Sequence, residues 1–309
     1  MKSKAFNKKE RKDLIFCLLV LLVPMVQFAI FYIGVNANSF VMAFQKYETN
    51  EITLKGSYKF LGFKDLFHNF DWMFTTIKDE GIFMSALKNS FLAFFVITLV
   101  GITLALVFSM YISKKMPGSG LFRALLFAPS ILSAMVTVLI FKSVVEEVIP
   151  VLFHLKEGLY ANLDTRMGTI LFYNVWIGFG TQVLMYSGAM SGIDPSITEA
   201  ARLDGASPFR EFFSITLPLI YPTIQTFLIT GVANIFLNQI NLVAFDGLDA
   251  SGRFMTVGYY LFSGVEFAMK NSKEELLLFA TYGVSLTLIA APLTLLTRWA
   301  LDKFGPSVE

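Results

Sequence analysis

The chain has 309 residues, 55% hydrophobic and only 16% charged, with a formal net charge of +2 and a mean hydropathy of +0.62. Soluble domains carry about 25% charged residues, so this composition points to an integral membrane protein and argues against a soluble globular enzyme. The near-neutral charge gives no reason to expect a nucleic-acid partner, and the single Cys17 excludes an internal disulfide or a paired-cysteine metal or redox site.

The first element is a basic tail, residues 1–13, with Lys2, Lys4, Lys8, Lys9, Arg11 and Lys12. The positive-inside rule places it in the cytoplasm. The apolar run Leu14–Val35 is the first predicted transmembrane helix. It is longer than a signal-peptide core and no small-residue cleavage site follows, so it is expected to stay in the membrane. Residues 36–84 form an extracytoplasmic loop. Its stretch YKFLGFKDLFHNFDWMF is aromatic-rich, and Tyr58 and Trp72 suit the membrane interface.

Five more apolar spans follow: Ser90–Ile112, Phe122–Val145, Met167–Met190, Leu219–Ile240 and Leu276–Ala300. The predicted fold is therefore all-α, a multi-pass protein of the cell (inner) membrane with six transmembrane helices and both termini, including the tail 303–309, in the cytoplasm. Barrel strands would give short alternating runs, and these are absent. His68 and His154 fall in different loops, and no cluster of residues suggests catalysis or metal binding. A membrane-embedded transferase would need grouped carboxylates at a membrane face. The only acidic doublets, Glu146–Glu147 and Glu274–Glu275, sit beside span ends.

Two spans carry polar stripes. Asn174, Gly178, Gln182 and Tyr186 recur every four residues, as do Thr226, Thr230, Asn234 and Asn238, so each set lies along one helix face. Neutral amides match the hydroxyls of a sugar, and Tyr173 and Trp176 offer rings for stacking. The same stripes also suit packing against a neighbouring helix. Anionic solutes would want Arg123 or Lys142 in the path.

Between the fourth and fifth spans lies the inner loop 191–218. Asp194 can cap a helix starting at Pro195, with Ser196 and Glu199 as an alternative start. Ala200 and Ala201 give a face without bulk, and Gly205 ends the helix. Ser207–Pro208 starts a second segment with Phe209, Phe212 and Phe213. Such a hairpin suits docking in a partner's groove.

This hairpin resembles the EAA loop of membrane subunits of binding-protein-dependent ABC importers. Glu199-Ala200-Ala201, Gly205, Ile215 and Leu217-Pro218 match its spacing throughout, and Asp204-Gly205-Ala206 matches the form seen in sugar permeases. The resemblance spreads over residues 85–302. NVWIGFGTQVLMYSGAMSGIDPS and FRALLFAPSILSAMVTVLIFKSV resemble consecutive core helices of maltose-type permeases, while FDGLDASGR departs from the Gly-Gly-Pro often found after the fifth span. The resemblance implies an ABC importer type I permease fold and a carbohydrate substrate. It implies a second permease subunit (a heterodimer), a cytoplasmic ATPase dimer that binds ATP and Mg, and an extracytoplasmic solute-binding protein. It assigns coupling to Glu199, Ala200, Ala201, Asp204, Gly205, Phe209, Phe212 and Phe213. It adds Ser130 to the pore-facing set and gives weight to Asn174 and Gly178. The chain carries no Gly-Lys dipeptide for a phosphate-cradling loop of its own. Glycerol phosphate or a polyamine is the alternative solute class.

Overall fold

The computed structural model describes residues 8–49 and 56–306. The start of the basic tail and the end of the 303–309 tail lie outside the described residues. The described chain divides into two compact units, Met1–Thr76 with Val265–Ser285, and Ile77–Gly264 with Leu286–Glu309.

Apolar runs become helices because a helix satisfies its own backbone where no water is present. Lys12–Met42, Ile82–Ser113 and Lys273–Phe304 are long and apolar enough to cross a membrane. Two bent pairs add up to two more spans: Ser119–Ile131 with Ala134–Phe153 at 108°, and Pro208–Leu219 with Tyr221–Ala233 at 66°. The count by length and composition is thus three to five, short of the expected six. The missing one is Arg166–Ser191, a helix of 26 residues in which Asn174, Gln182 and several glycines dilute the apolar character.

The breaks have local causes. Pro129 removes a donor, Leu132 turns extended, and the Ser133 hydroxyl accepts from Val136 N at 3.4 Å to start the next helix. The expected span Phe122–Val145 is therefore two helices, not one. The expected span Leu219–Ile240 is helical only over Tyr221–Ala233. Beyond it the Asn234 amide bonds the Thr230 carbonyl at 2.8 Å, and the polar run that follows favours turns over helix.

The helical fold carries one small strand pair that the sequence reading did not anticipate. In the first unit Gln45–Thr49 pairs antiparallel with Gly56–Phe60, Tyr47 facing Tyr58 with ring centroids 5.1 Å apart. Hydrogen bonds from Lys46 and Lys59 hold the Glu48 carboxyl down at about 2. Buried Asn69 donates to the Ala43 and Gln45 carbonyls at 2.9 and 2.8 Å. Alternation over only five residues is a weak signal beside so many apolar runs. A further helix, Val257–Asn271, occupies what the sequence suggested was loop. Its 15 residues are too few to span a bilayer.

In the second unit, helix Gly101–Ser113 packs along Arg166–Ser191 through Ile102, Ala105, Phe179, Val183 and Tyr186. Between membrane helices the gain comes from close van der Waals packing, since lipid is as apolar as the core. Tyr221–Ala233 approaches residues 95–100 so closely that a Cβ at Gly231 would sit 2.8 Å from Thr98.

Two helices end in the same hydrogen-bonded stop. After Pro195–Leu203, Gly205 N donates to Arg202 O and Ala206 N to Ala201 O, with Gly205 at φ 77. After Gly101–Ser113, Lys115 N donates to Ile112 O and Met116 N to Tyr111 O, with Lys115 at φ 51. Both are Schellman stops. Glycine takes the left-handed position freely, whereas a residue with a Cβ costs about 1–2 kcal/mol there.

Candidate functional site

The loop 191–218 folds as the hairpin its residues suggest. The Asp194 carboxylate accepts from Ser196 N at 2.9 Å, and Pro195 opens the helix Pro195–Leu203. That backbone hydrogen bond holds the Asp194 carboxyl below its usual range. Ser207 caps the second segment by accepting from Arg210 N, and the chain runs on to the 66° break at Ile220.

The two alanines part company. Ala201 is buried and Ala200 exposed, because successive helical residues point about 100° apart. Phe212 is likewise buried in the unit's core, while Phe209 is 75% and Phe213 61% exposed. The outward face is therefore Glu199, Ala200, Leu203, Phe209 and Phe213, with Leu203 at 89% exposure. Of the two other residues expected on this face, Ala201 is buried within the chain and Phe212 packs into its core. Asp204 is exposed beside the Gly205 stop.

Sequence reading missed Glu211. Its carboxylate is almost fully buried, 3.5 Å from Lys114 Nζ and 3.4 Å from Arg202 Nε. It ties the hairpin to the end of Gly101–Ser113. Sequence carried no signal for it, since Lys114 belongs to a distant turn.

The irregular segment after Ala233 lines an amide-rich cavity of about 680 Å³, formed by Asn234, Leu237, Asn238, Gln239 and Asn241 with Met135 across from them. A smaller cavity of about 170 Å³ shares Asn234 and Asn238 and adds Gln182, Thr230, Ser90 and Thr98. Among the described residues, the Gln182 Oε1 atom is buried without a hydrogen-bond partner. Among the described residues, neither lining holds a charged side chain. Non-helical backbone at membrane depth is tolerated where it is packed in protein or lines a cavity, and broken helices commonly carry transport sites.

Of the expected path residues, Asn234, Asn238 and Gln182 come together here. Asn174 does not open onto these cavities. It is buried, donates to Ile170 O at 2.8 Å and Ile240 O at 2.9 Å, and accepts from Asn241 Nδ2 at 2.8 Å. These bonds brace Ile240 and Asn241, two consecutive non-glycine residues at φ 45 and 57. Tyr173 is wholly buried, packed on Phe141 and Phe245, so it is a core residue and not a stacking surface. Trp176 lines a separate apolar groove of about 720 Å³ with Phe141 and Phe172. Ser130 sits at the 108° bend, its hydroxyl donating to Phe127 O at 2.7 Å. Among the described residues, no neighbour lies within 4 Å of where a Cβ on Gly178 would sit.

Lys142 is also spoken for. It donates to Phe245 O at 3.0 Å and lies 4.6 Å from the Tyr160 ring, which Arg166 faces at the same distance. Tyr160 donates to Asp246 at 2.6 Å. Burial and that bond push its hydroxyl well above the usual phenol range. Arg123 is exposed on Ser119–Phe127.

A membrane-embedded chain with this hairpin between a polar-striped helix and a broken one has the form of a transport permease. Residues 97–309 match the family described as binding-protein-dependent transport system inner membrane component, and the chain belongs to that family.

Among relatives, the maltose/maltodextrin transport system permease protein MalF of Salmonella typhimurium (strain LT2) is 28% identical over 209 residues, covering 62% of this chain and 39% of that protein. MalF of Escherichia coli (strain K12) is 29% identical with the same coverage. The chain thus aligns with about two fifths of the length of these relatives. A chain in the crystal structure of a bacterial ABC transporter involved in import of the acidic polysaccharide alginate has a TM-score of 0.73 at 16% identity, covering 96% of this chain and 99% of that one. The fold is therefore the ABC importer permease fold.

Proposed function

We propose that this chain is one of two permease subunits of an ATP-driven importer for a neutral sugar or oligosaccharide. A cytoplasmic ATPase dimer binds ATP and Mg and docks on the outward face of the 194–213 hairpin. An extracytoplasmic binding protein delivers the solute, and a second permease completes the path. The observation that carries this reading is the continuity between the EAA hairpin, the broken helix Pro208–Ala233 and the amide cavity at its far end. A movement imposed on the hairpin is thereby passed to the cavity wall.

The uncharged linings favour a neutral polyhydroxyl solute. Glycerol phosphate would call for a cation and a polyamine for a carboxylate, and among the described residues neither amide cavity supplies one. The MalF relatives transport maltose and maltodextrin by name, which agrees with that chemistry. With the subunits that co-purify with it, the reconstituted chain should hydrolyse ATP faster when neutral maltodextrins and the binding protein are added. An acidic alginate oligosaccharide should leave the rate unchanged. Equal stimulation by both, or none by any sugar, would remove the proposal.

Six spans with both termini in the cytoplasm complete the reading, because the hairpin must meet the ATPase. In a Cys17→Ser background, Lys156→Cys should react with an impermeant maleimide on intact cells. Ser196→Cys should react only after the membrane is opened. The opposite pattern would invert the topology.

A further inference from the structure

A cavity of about 430 Å³ separates the end of Gly101–Ser113 from the coupling helix. Lys114, Lys115 and Arg202 line it with a single carboxylate, Glu211, and the hydroxyl-bearing Ser113 and Thr198. Glu211 is paired with Lys114 and Arg202. Three cations against one carboxylate leave two positive charges in excess, and among the described residues Lys115 makes no ion pair.

Lys115 is also where the backbone is strained. It holds the left-handed position of a Schellman stop at φ 51, the position that glycine fills at 205 in the coupling helix. Glycine would end this helix with less strain. A strained residue at a cavity points from conformation to function, and here that residue brings an unpaired cation to a cavity already rich in positive charge.

We propose that this cavity binds a phosphate-bearing anion, with Lys115 as its principal partner and Lys114 and Arg202 in support. Lysine is a point-charge partner for phosphate, and arginine adds a planar fork of donors. The hydroxyls of Ser113 and Thr198 already donate to Met110 O and Pro195 O, so the three cations carry the binding. Two sources carry this chemistry, the headgroup of an anionic phospholipid and phosphate free in solution. Basic pockets between helices at a membrane face bind such headgroups. The bound anion bridges the turn at 114–116 to the coupling helix at Arg202 and holds the hairpin against the helix end. The site lies on the inward side of the hairpin, so it stands whether or not an ATPase docks on the outward face.

Hydrogen exchange, read by mass spectrometry on the full chain purified with its accompanying subunits, tests the site. The protein is placed in phosphatidylcholine nanodiscs, in nanodiscs containing phosphatidylglycerol, and in phosphatidylcholine nanodiscs with inorganic phosphate. Sodium chloride matches the ionic strength throughout. Amides 114–116 and 202–206 should exchange several-fold more slowly in at least one anionic condition. Slowing by phosphatidylglycerol alone assigns the anion to the lipid, and slowing by inorganic phosphate assigns it to solution. Lys115→Gly keeps the helix stop and removes the charge, so it should abolish the slowing without faster exchange in plain phosphatidylcholine. Lys115→Gln should abolish it too. No slowing in the wild-type chain, or slowing that survives both substitutions, overturns the proposal.

Discussion

Asn174→Leu should yield a chain that fails to assemble, not one that assembles and transports poorly. The amide makes three hydrogen bonds in a buried setting, and leucine replaces none of them. Ile240 O and the Asn241 side chain then lose their partner beside a backbone that is already strained. Unmade buried bonds cost about 1–3 kcal/mol each, so the loss is on the order of 3 kcal/mol, a large share of a typical domain's stability. Asn234→Leu is the contrast. Among the described residues its amide donates only to Thr230 O in the last turn of the helix it follows, while it lines both amide cavities. That variant should assemble normally and lose transport by roughly 2- to 10-fold, the equivalent of one neutral hydrogen bond of about 0.5–1.5 kcal/mol. Size-exclusion profiles of the tagged complex, followed by uptake assays, separate the two. Normal assembly of Asn174→Leu with lost uptake would return Asn174 to the solute path.

Gly205→Val should uncouple ATP hydrolysis from transport. Gly205 lies at φ 77, and a β-branched residue is a genuine outlier there. A Cβ at this position meets nothing within 4 Å in the chain, so the defect is conformational and not a clash. Valine must either bear strain of about 1–2 kcal/mol or abandon the stop and swing Ser207 and the second segment away from the coupling helix. Gly205→Asn, which tolerates the left-handed region better, should retain more coupling than valine. Co-purification of the ATPase and sugar-stimulated hydrolysis provide the readout. A valine variant that remains coupled would show that the hairpin is not the coupling element.

The hairpin was legible because its determinants are local: a cap, a proline and a glycine at fixed offsets. Its outward face was less so. Ala200 and Ala201 read alike in sequence, and only packing decides that one faces the core. The polar stripe of the fifth span was legible through Asn234, but not its loss of helical form at Ala233, since side-chain competition for the backbone is settled by neighbours. Tyr173 and Asn174 show the limit from the other side. A polar or aromatic residue in a membrane helix can serve a solute or a strained turn, and the spacing is the same for both. The Glu211 contacts join residues from distant turns, so no periodicity reveals them. The exposed Lys46–Glu48–Lys59 group was likewise hidden, because it depends on strand register.

The break at Ile220 also makes Tyr221–Ala233 a lever. Its 13 residues, at 1.5 Å of rise each, give an arm roughly 20 Å long. Each degree of rotation at the fulcrum therefore moves the tip about 0.3 Å. The tip carries Asn234, so a tilt of about 8° shifts the cavity wall by roughly the width of a water molecule.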